Sequence, residues 1–135
     1  LRGAWKGNFV VKGVLDVEDA TRLRAAGVDG IIVSSHGGRQ LDSVHPPILA
    51  LRAIRDALGN AYPLFYDSGI RSGEDIVKAY AMGANYVFVG RAWLFAMAAG
   101  GEAGLARMVE IMEKQVSITL AQMGLSSMLD IPALR

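Results

Sequence analysis

A repeated segment constrains the fold of this chain more than any other feature. Residues 26–33 (AGVDGIIV) align with residues 82–89 (MGANYVFV), 56 positions further on. Each copy joins the glycine that ends a predicted helix to an apolar run that is typical of a buried strand. Two strand-helix units of about 28 residues each fit between the copies. Alternating units of this kind predict a parallel sheet covered by helices, because continuous apolar strands need both faces buried.

Four strand-helix units are predicted along the chain. A short buried strand is expected at residues 9–11, further strands at 31–34, 63–66 and 86–89, and helices at residues 16–26, 48–58 and 74–82. An apolar run at 92–99 and a glycine pair precede a long helix, whose apolar stripe is Leu105, Met108, Val109, Met112, Val116 and Leu120. Trp93, Phe95 and Met97 are expected in the core. Such units form either an open doubly wound sheet or half of a (β/α)8 barrel, which would have two unpaired edges.

The composition excludes several classes of protein. With 135 residues, 52% hydrophobic and 20% charged, the chain has the size and balance of one packed domain. A net charge of +1 with no basic run makes nucleic acid a poor partner. There are no cysteines, and no apolar run approaches the roughly 20 residues that cross a bilayer. Because the chain starts on Leu1, we expect a fragment or a processed piece.

The motif SSHGGRQLD, which starts at Ser34, follows the second predicted strand and is the strongest candidate for chemistry. Ligands of parallel α/β proteins bind at the carboxyl ends of the strands. The imidazole of His36 can accept a proton, while Arg39 can hold a carboxylate in two parallel hydrogen bonds. Together they favour a small carboxylic acid, although a His36 ring packed against the glycines is the alternative. His45 is expected at the surface, and no metal site is predicted.

Lys12 is predicted at the end of the first strand, directly before Gly13. A lysine there points its charge at the edge of the sheet where ligands bind, and it can stabilise negative charge that develops on a ligand. Schiff-base chemistry is a competing use of such a lysine. The third interpretation is a lysine that only caps the rim of a barrel.

Two further loops, DSGIRSG at 67–73 and GRA at 90–92, run from a strand end into a helix start. Glycine-exposed backbone amides at a helix start bind anions, and Arg71 and Arg91 add full charges. In barrels the phosphate site lies in the loops after the last two strands. Ordinary tight turns with solvated arginines are the alternative for either loop alone. Because consecutive units both carry such a loop, phosphate binding is favoured.

Taken together, these motifs resemble the FMN-dependent 2-hydroxy acid dehydrogenases and oxidases, the family of glycolate oxidase, cytochrome-linked L-lactate dehydrogenase, lactate oxidase and mandelate dehydrogenase. The matching pieces are VVKGVL, VSSHGGRQLD, DSGIRSGEDIVKA and VFVGRAWLF, in the family's order and spacing. The resemblance covers about residues 10–123. It implies a TIM (β/α)8 barrel, of which residues 1–135 would be the second half, strands five to eight with the C-terminal helix.

The resemblance also implies FMN as cofactor and the oxidation of an (S)-2-hydroxy acid, such as L-lactate, to a 2-oxo acid. His36 would be the catalytic base, and Arg39 would clamp the substrate carboxylate beside it. Lys12 would contact the flavin and stabilise its reduced form, and Ser34 would hydrogen-bond the flavin. Seven residues of the third and fourth loops would hold the ribityl phosphate: Asp67, Ser68, Gly69, Ile70, Arg71, Gly90 and Arg91.

Two departures from the family pattern are visible. Ser35 stands where the family usually has asparagine, a small change that we expect to be tolerated. The first half of the barrel has no counterpart in this sequence. In the family it supplies further flavin contacts, substrate tyrosines, a second arginine and an aspartate that pairs with the histidine. We therefore expect the isolated chain to be inactive.

Two other functions stay open at this point. Another FMN- or phosphate-binding barrel, such as an isoprenoid diphosphate isomerase, would have a diphosphate site in place of Arg39 holding a carboxylate. A non-catalytic half barrel would pair with another copy through its open edges, as a homo-oligomer. For the dehydrogenase, the electron acceptor would be oxygen, a quinone or a cytochrome. Its expected location is cytoplasmic, with peripheral attachment to the inner membrane as the alternative.

Overall fold

The computed structural model describes residues 1–131. Four parallel strands lie side by side in chain order: β1 (Val10–Val14), β2 (Gly30–Val33), β3 (Leu64–Tyr66) and β4 (Tyr86–Val87). The helices are α1 (Val17–Ala25), α2 (Pro47–Leu58), α3 (Gly73–Ala81) and α4 (Arg91–Gln122), with short 3-10 turns at His36–Gly38 and Met128–Asp130. In a doubly wound sheet the strand order reverses at one point. Here the strands follow one another in chain order from one edge to the other, as in the wall of a barrel.

The two faces of the sheet have different surroundings. Ile31, Leu64 and Tyr66 lie on the face that the helices cover, and none of them is more than 3% exposed. On the opposite face Tyr86 and Phe88 are 55% and 43% exposed. Their rings meet edge to face with centroids 5.2 Å apart. The core therefore lies between sheet and helices, and the open face is the one that a closed barrel would enclose.

The predicted strand-helix units are confirmed, with differences at the edges of the sheet. β1 begins one residue later than predicted and runs through Lys12 to Val14, so Lys12 lies inside the strand and not after it. The prediction that this strand is buried is wrong, because β1 is an edge strand whose open face has no cover in residues 1–131. β4 is only two residues long, shorter than the predicted strand at 86–89.

The helix α4 includes the apolar run at 92–99, for which the sequence alone predicts no element. Gly100 and Gly101 have non-helical backbone angles and divide the helix into two segments, which confirms the predicted break. None of the helices within residues 1–131 is long and apolar enough to cross a membrane.

The predicted apolar stripe of α4 is only partly buried. Met112 and Leu120 are buried against the rest of the chain, whereas Val109 is 44% exposed. Phe95 and Met97 are 72% and 49% exposed, so the prediction that they are core residues is wrong. The physical reason is that α4 packs chiefly against α3, which leaves its first segment without an apolar neighbour on these sides.

The sequence repeat has a structural counterpart. Asp29 directly precedes β2, and its carboxylate accepts a hydrogen bond from the Phe9 amide at 2.8 Å. Asn85 holds the equivalent position before β4, and its side-chain oxygen accepts from the Leu64 amide at 2.9 Å. In both copies the same oxygen also accepts a hydrogen bond from an arginine. The two copies of the repeat therefore fix the starts of β1 and β3 in the same way.

Arg55 is the arginine of the second copy, and it is only 5% exposed. Its guanidinium donates to the backbone carbonyls of Gly59, Tyr62 and Gly83 and to the Asn85 side chain, at 2.6 to 2.9 Å. Burial lowers the pKa of Arg55, but an arginine stays charged in proteins, and these acceptors satisfy it. Arg55 thus ties the end of α2 to the loops that precede β3 and β4.

We expect Arg55→Met to lower the free energy of unfolding by about 3 kcal/mol, because it leaves several buried carbonyls without a donor. Arg52→Met is the matched control on the same helix. Arg52 forms an i,i+4 ion pair with Asp56, whose side chain is 59% exposed, and such pairs contribute no more than about 1 kcal/mol. Urea unfolding followed by circular dichroism measures both changes. Equal losses in the two variants would contradict the role given to Arg55.

Candidate functional site

A cavity of about 560 Å³ opens at the carboxyl ends of the strands. All but one of the candidate residues line it: Lys12, His36, Arg39, Asp67, Ser68, Gly69, Ile70, Arg71, Gly90 and Arg91. The exception is Ser34, which is 1% exposed. Phe88, Trp93 and Leu94 add apolar wall. The cavity volume lies within the range of small-molecule sites, roughly 300 to 1,000 Å³.

A bulge in β1 shapes one side of this cavity. The pairing with β2 shifts register between Lys12 and Val14, so Gly13 is the extra residue. Gly13 has φ +98°, a conformation that strains any residue with a side chain. A Cβ at this position would lie 2.5 Å from Cε1 of His36. The imidazole of His36 therefore occupies space that is free because Gly13 has no side chain.

His36 belongs to the 3-10 turn after β2 and has φ 54°, which is uncommon for a residue other than glycine. Its amide donates to Oγ of Ser34 at 3.0 Å and so holds the turn against the strand end. The imidazole is exposed and makes no hydrogen bond within residues 1–131. Both ring nitrogens are therefore available to a ligand in the cavity.

A polar cluster of Lys12, Ser34 and Asp67 connects the carboxyl ends of three successive strands. Nζ of Lys12 lies 2.8 Å from Oδ2 of Asp67 and donates to Oγ of Ser34 at 2.9 Å. Ser34 in turn donates to Oδ1 of Asp67 at 2.5 Å. Burial would raise the pKa of Asp67, but hydrogen bonds from Lys12, Ser34 and Ser68, with the charge of Lys12, hold it below its usual value. Asp67 is therefore ionised at neutral pH.

Three arginines at the cavity, Arg39, Arg71 and Arg91, have no acidic partner among the residues that the structure describes. Every other described arginine donates to a carboxylate or to a backbone carbonyl. The unpaired guanidinium groups are thus concentrated at one place. Their combined charge attracts an anion, and their planar donor pairs suit phosphate and carboxylate groups.

The two predicted phosphate loops differ in how their helices begin. At α3, Asp75 accepts hydrogen bonds from two loop amides at 2.9 and 3.0 Å, and Gln115 of α4 accepts one from the Gly73 amide at 2.8 Å. The start of α4 at Gly90 has no side-chain cap. The first amides of α4 can bind an anion, whereas the Gly73 and Asp75 amides at the start of α3 already have side-chain acceptors. Arg71 therefore contributes to the cavity through its side chain.

Sequence reasoning missed four residues that shape this site. A glycine inside a strand pattern signals a bulge, so Gly13 could have been identified beforehand. The spacing of Ser72 and Asp75 is that of a capping box, which the structure shows in full. No local sequence pattern indicates the role of Gln115, because it lies 42 positions from Gly73, whose amide donates to it.

The fold and the cavity define a class of protein. Parallel strands that follow one another in chain order, with a basic cavity at their carboxyl ends, are typical of part of a (β/α)8 barrel. A family model described as FMN-dependent dehydrogenase matches residues 1–134. The chain belongs to this family.

Two curated relatives are L-lactate dehydrogenases. That of Caulobacter vibrioides is 47% identical over 124 residues, which are 92% of this chain and 32% of the relative. That of Pectobacterium atrosepticum is 46% identical over 131 residues, which are 97% of this chain and 34% of the relative. The chain thus spans about a third of the length of the curated relatives it matches.

Solved structures of similar proteins agree with this assignment. Mandelate oxidase with (S)-4-hydroxymandelic acid superimposes with a TM-score of 0.91 at 40% identity, over 99% of this chain and 38% of that one. An active mutant of (S)-mandelate dehydrogenase gives 0.90 at 42% identity, over 97% and 36% of the two chains. The predicted family and the predicted partial barrel are confirmed. The roles of individual residues stay predictions.

We expect Gly13→Ala to displace the imidazole of His36, because the added Cβ would collide with Cε1. The Cε1–H proton NMR resonance of His36 should shift, while that of His45, the only other histidine, should stay in place. Gly124→Ala is the matched control, since Gly124 has φ +72° and nothing within 4 Å of its Cβ position. An unshifted His36 resonance in folded Gly13→Ala would show that the bulge does not seat the ring.

Proposed function

We propose that this chain supplies flavin and substrate groups of an FMN-dependent dehydrogenase that oxidises an (S)-2-hydroxy acid to a 2-oxo acid. The observation that carries the proposal is the meeting at one cavity of a lysine with a histidine and three arginines whose side chains have no partner within residues 1–131. Relatives named L-lactate dehydrogenase and mandelate oxidase support the substrate class. Because the chain spans about a third of such relatives, the activity belongs to a protein that carries the remainder of the barrel.

The residues present fit FMN. Its phosphate would lie between Arg71, Arg91 and the uncapped start of α4, where charge and free amides coincide. Gly69 and Gly90 leave space beside it, since nothing lies within 4 Å of either Cβ position. The ionised Asp67 can accept hydrogen bonds from ribityl hydroxyls. A structure of a mandelate oxidase variant with an FMN adduct, among the structural relatives, supports the same cofactor.

When bound, FMN supplies the acceptor for the two electrons that leave the hydroxy acid. Arg39 would bind the substrate carboxylate through two parallel hydrogen bonds and so fix the orientation of the α-carbon. His36 would accept a proton from the substrate, since its ring nitrogens are free and imidazole titrates near neutrality. Lys12 uses two of its three N–H groups within the polar cluster, and the third would stabilise negative charge on a ligand.

The partners that we propose are a small 2-hydroxy acid and a separate electron acceptor. An acceptor is required because each turnover removes two electrons from the substrate and they must leave the protein again. Oxygen, a quinone or a cytochrome would each serve this purpose. Turnover of a full-length protein in aerated buffer without another acceptor, compared with anaerobic turnover in the presence of a quinone or of a cytochrome, distinguishes them.

Titration of the purified chain with FMN tests the cofactor. We expect saturable quenching of flavin fluorescence, with affinity at least about tenfold weaker in Arg71→Gln/Arg91→Gln, because each charge-assisted hydrogen bond contributes roughly 1.5 to 3 kcal/mol. Arg52→Gln is the matched control, as Arg52 is paired with Asp56 on the outer surface. The same affinity in all three proteins would place the phosphate elsewhere, and absence of binding would contradict the proposal for the isolated chain.

His36→Gln in a full-length protein that contains this chain tests the chemistry. We expect turnover of L-lactate to fall at least a hundredfold, in line with the roughly 10²- to 10⁴-fold effect of a general base, while FMN content is unchanged. His45→Gln is the control and should keep wild-type turnover. Anaerobic stopped-flow absorbance measures flavin bleaching directly. Wild-type bleaching in His36→Gln would mean that another residue accepts the proton.

A further inference from the structure

Gln115 lies in the second segment of α4 and does not line the cavity, yet its side chain reaches the loop that carries Arg71. Oε1 of Gln115 accepts a hydrogen bond from the Gly73 amide at 2.8 Å. The side chain makes no other hydrogen bond within residues 1–131. This one contact therefore ties α4 to the start of α3.

The backbones of α3 and α4 meet at the same point. Gly73 is the first residue of α3 and is buried. A Cβ at this position would lie 2.5 Å from both the Met112 carbonyl oxygen and the Val116 amide nitrogen. Because glycine has no side chain, α3 begins directly against the backbone of α4. The Gly73 amide has no partner within its own helix, so Gln115 supplies the acceptor that this partly buried donor requires.

The hydrogen bonds at the start of α3 continue from Gly73 back to Arg71. The amides of Arg71 and Ser72 both donate to Oδ2 of Asp75, at 2.9 and 3.0 Å. Each residue from 71 to 73 thus has its amide bonded to a side chain. Asp75 belongs to α3 itself, whereas Gln115 belongs to another helix. Gln115 therefore fixes where this turn lies relative to α4.

The helix that contains Gln115 also begins at the cavity. Arg91 is the first residue of α4 and lines the cavity together with Arg71. The helix thus contributes to the site at two places, through its uncapped start and through the hold of Gln115 on the loop of Arg71. A phosphate that two guanidinium groups bind needs both of them in register, because charge-assisted hydrogen bonds of arginine are directional.

We propose that Gln115 is a positioning residue for the phosphate end of the cofactor site: by holding the Gly73 amide, it fixes the loop from which Arg71 reaches the cavity. The inference rests on the proposed function and deepens it, because it assigns a residue outside the cavity to the binding of the phosphate. The position requires a hydrogen-bond acceptor. Glutamate keeps that acceptor, whereas leucine keeps the approximate size without it.

Titrations with FMN and with riboflavin, which lacks the phosphate, test this role through flavin fluorescence. We expect Gln115→Leu to weaken FMN binding at least about threefold, the effect of losing one hydrogen bond, and to leave riboflavin affinity within about twofold of wild type. Gln115→Glu should restore wild-type affinity for FMN. Unchanged FMN affinity in Gln115→Leu would overturn the proposal, and so would equal losses for the two ligands.

Gln122→Leu is the matched control. Gln122 is the last residue of α4, is exposed, and makes no side-chain hydrogen bond within the part of the chain that the structure describes. Its replacement removes the same amide from the same helix, so binding of both ligands should stay at the wild-type level. A loss of FMN affinity in Gln122→Leu as large as that in Gln115→Leu would overturn the specific role of Gln115.

Hydrogen exchange of the ligand-free chain, followed by NMR, separates this proposal from the proposed function. We expect the amides of Arg71, Ser72 and Gly73 to exchange at least about threefold faster in Gln115→Leu, with unchanged circular dichroism. Gln115→Glu and Gln122→Leu should keep wild-type rates. A wild-type chain that fails to bind FMN would count against the proposed function only. Faster exchange confined to Gly73 would overturn the positioning role, because the loop of Arg71 would then be fixed without Gln115.

Discussion

The ion pair between Lys12 and Asp67 is the contact on which the arrangement of the cavity depends. It joins two strands that are not neighbours, and it does so at 2.8 Å across the end of the strand between them. The pair is partly shielded from water. Ser34 accepts a further hydrogen bond from Nζ of Lys12 and donates one to Oδ1 of Asp67. Asp67, whose side chain is 19% exposed, is the more buried of the two charges, and its contacts with Lys12 and Ser34 offset the cost of removing it from water.

The positively charged side chains at the cavity fall into two groups, those paired with a carboxylate and those available to a ligand. Lys12 carries its positive charge into the cavity but shares it with Asp67, whereas Arg39, Arg71 and Arg91 have no such partner in residues 1–131. A ligand with two anionic groups would therefore find its strongest attraction at the arginines. This difference supports the role proposed for Lys12, which is to stabilise charge that appears only during a reaction.

Much of this could be predicted from the sequence, and the reasons are local. The first residues of α1 and α3 follow from Asp16 and Ser72, whose side chains cap the first turn of each helix. The meeting of Lys12, His36 and Arg39 at one cavity follows from parallel topology, since each comes from the carboxyl end of a strand or from the loop that follows it. The composition adds only that the chain forms a packed core.

The remaining features depend on contacts that no local pattern records. The Gly73 amide at the start of α3 donates a hydrogen bond to Gln115, which lies far along the chain in α4. The exposure of Phe95 and of most of β1 depends on which elements lie next to them, and the sequence predicted them as buried. The partners of Ser34 likewise became visible only when three strands were placed side by side.

The paired positions Asp29 and Asn85 have a consequence for how such folds are assembled. Each sets strand register with a single side-chain oxygen that holds the backbone amide of the preceding strand and an arginine at once. These hydrogen bonds involve a backbone amide and an arginine, so they do not depend on which apolar side chains fill the core. The same contact can therefore recur in successive pairs of strand-helix units whose core residues differ.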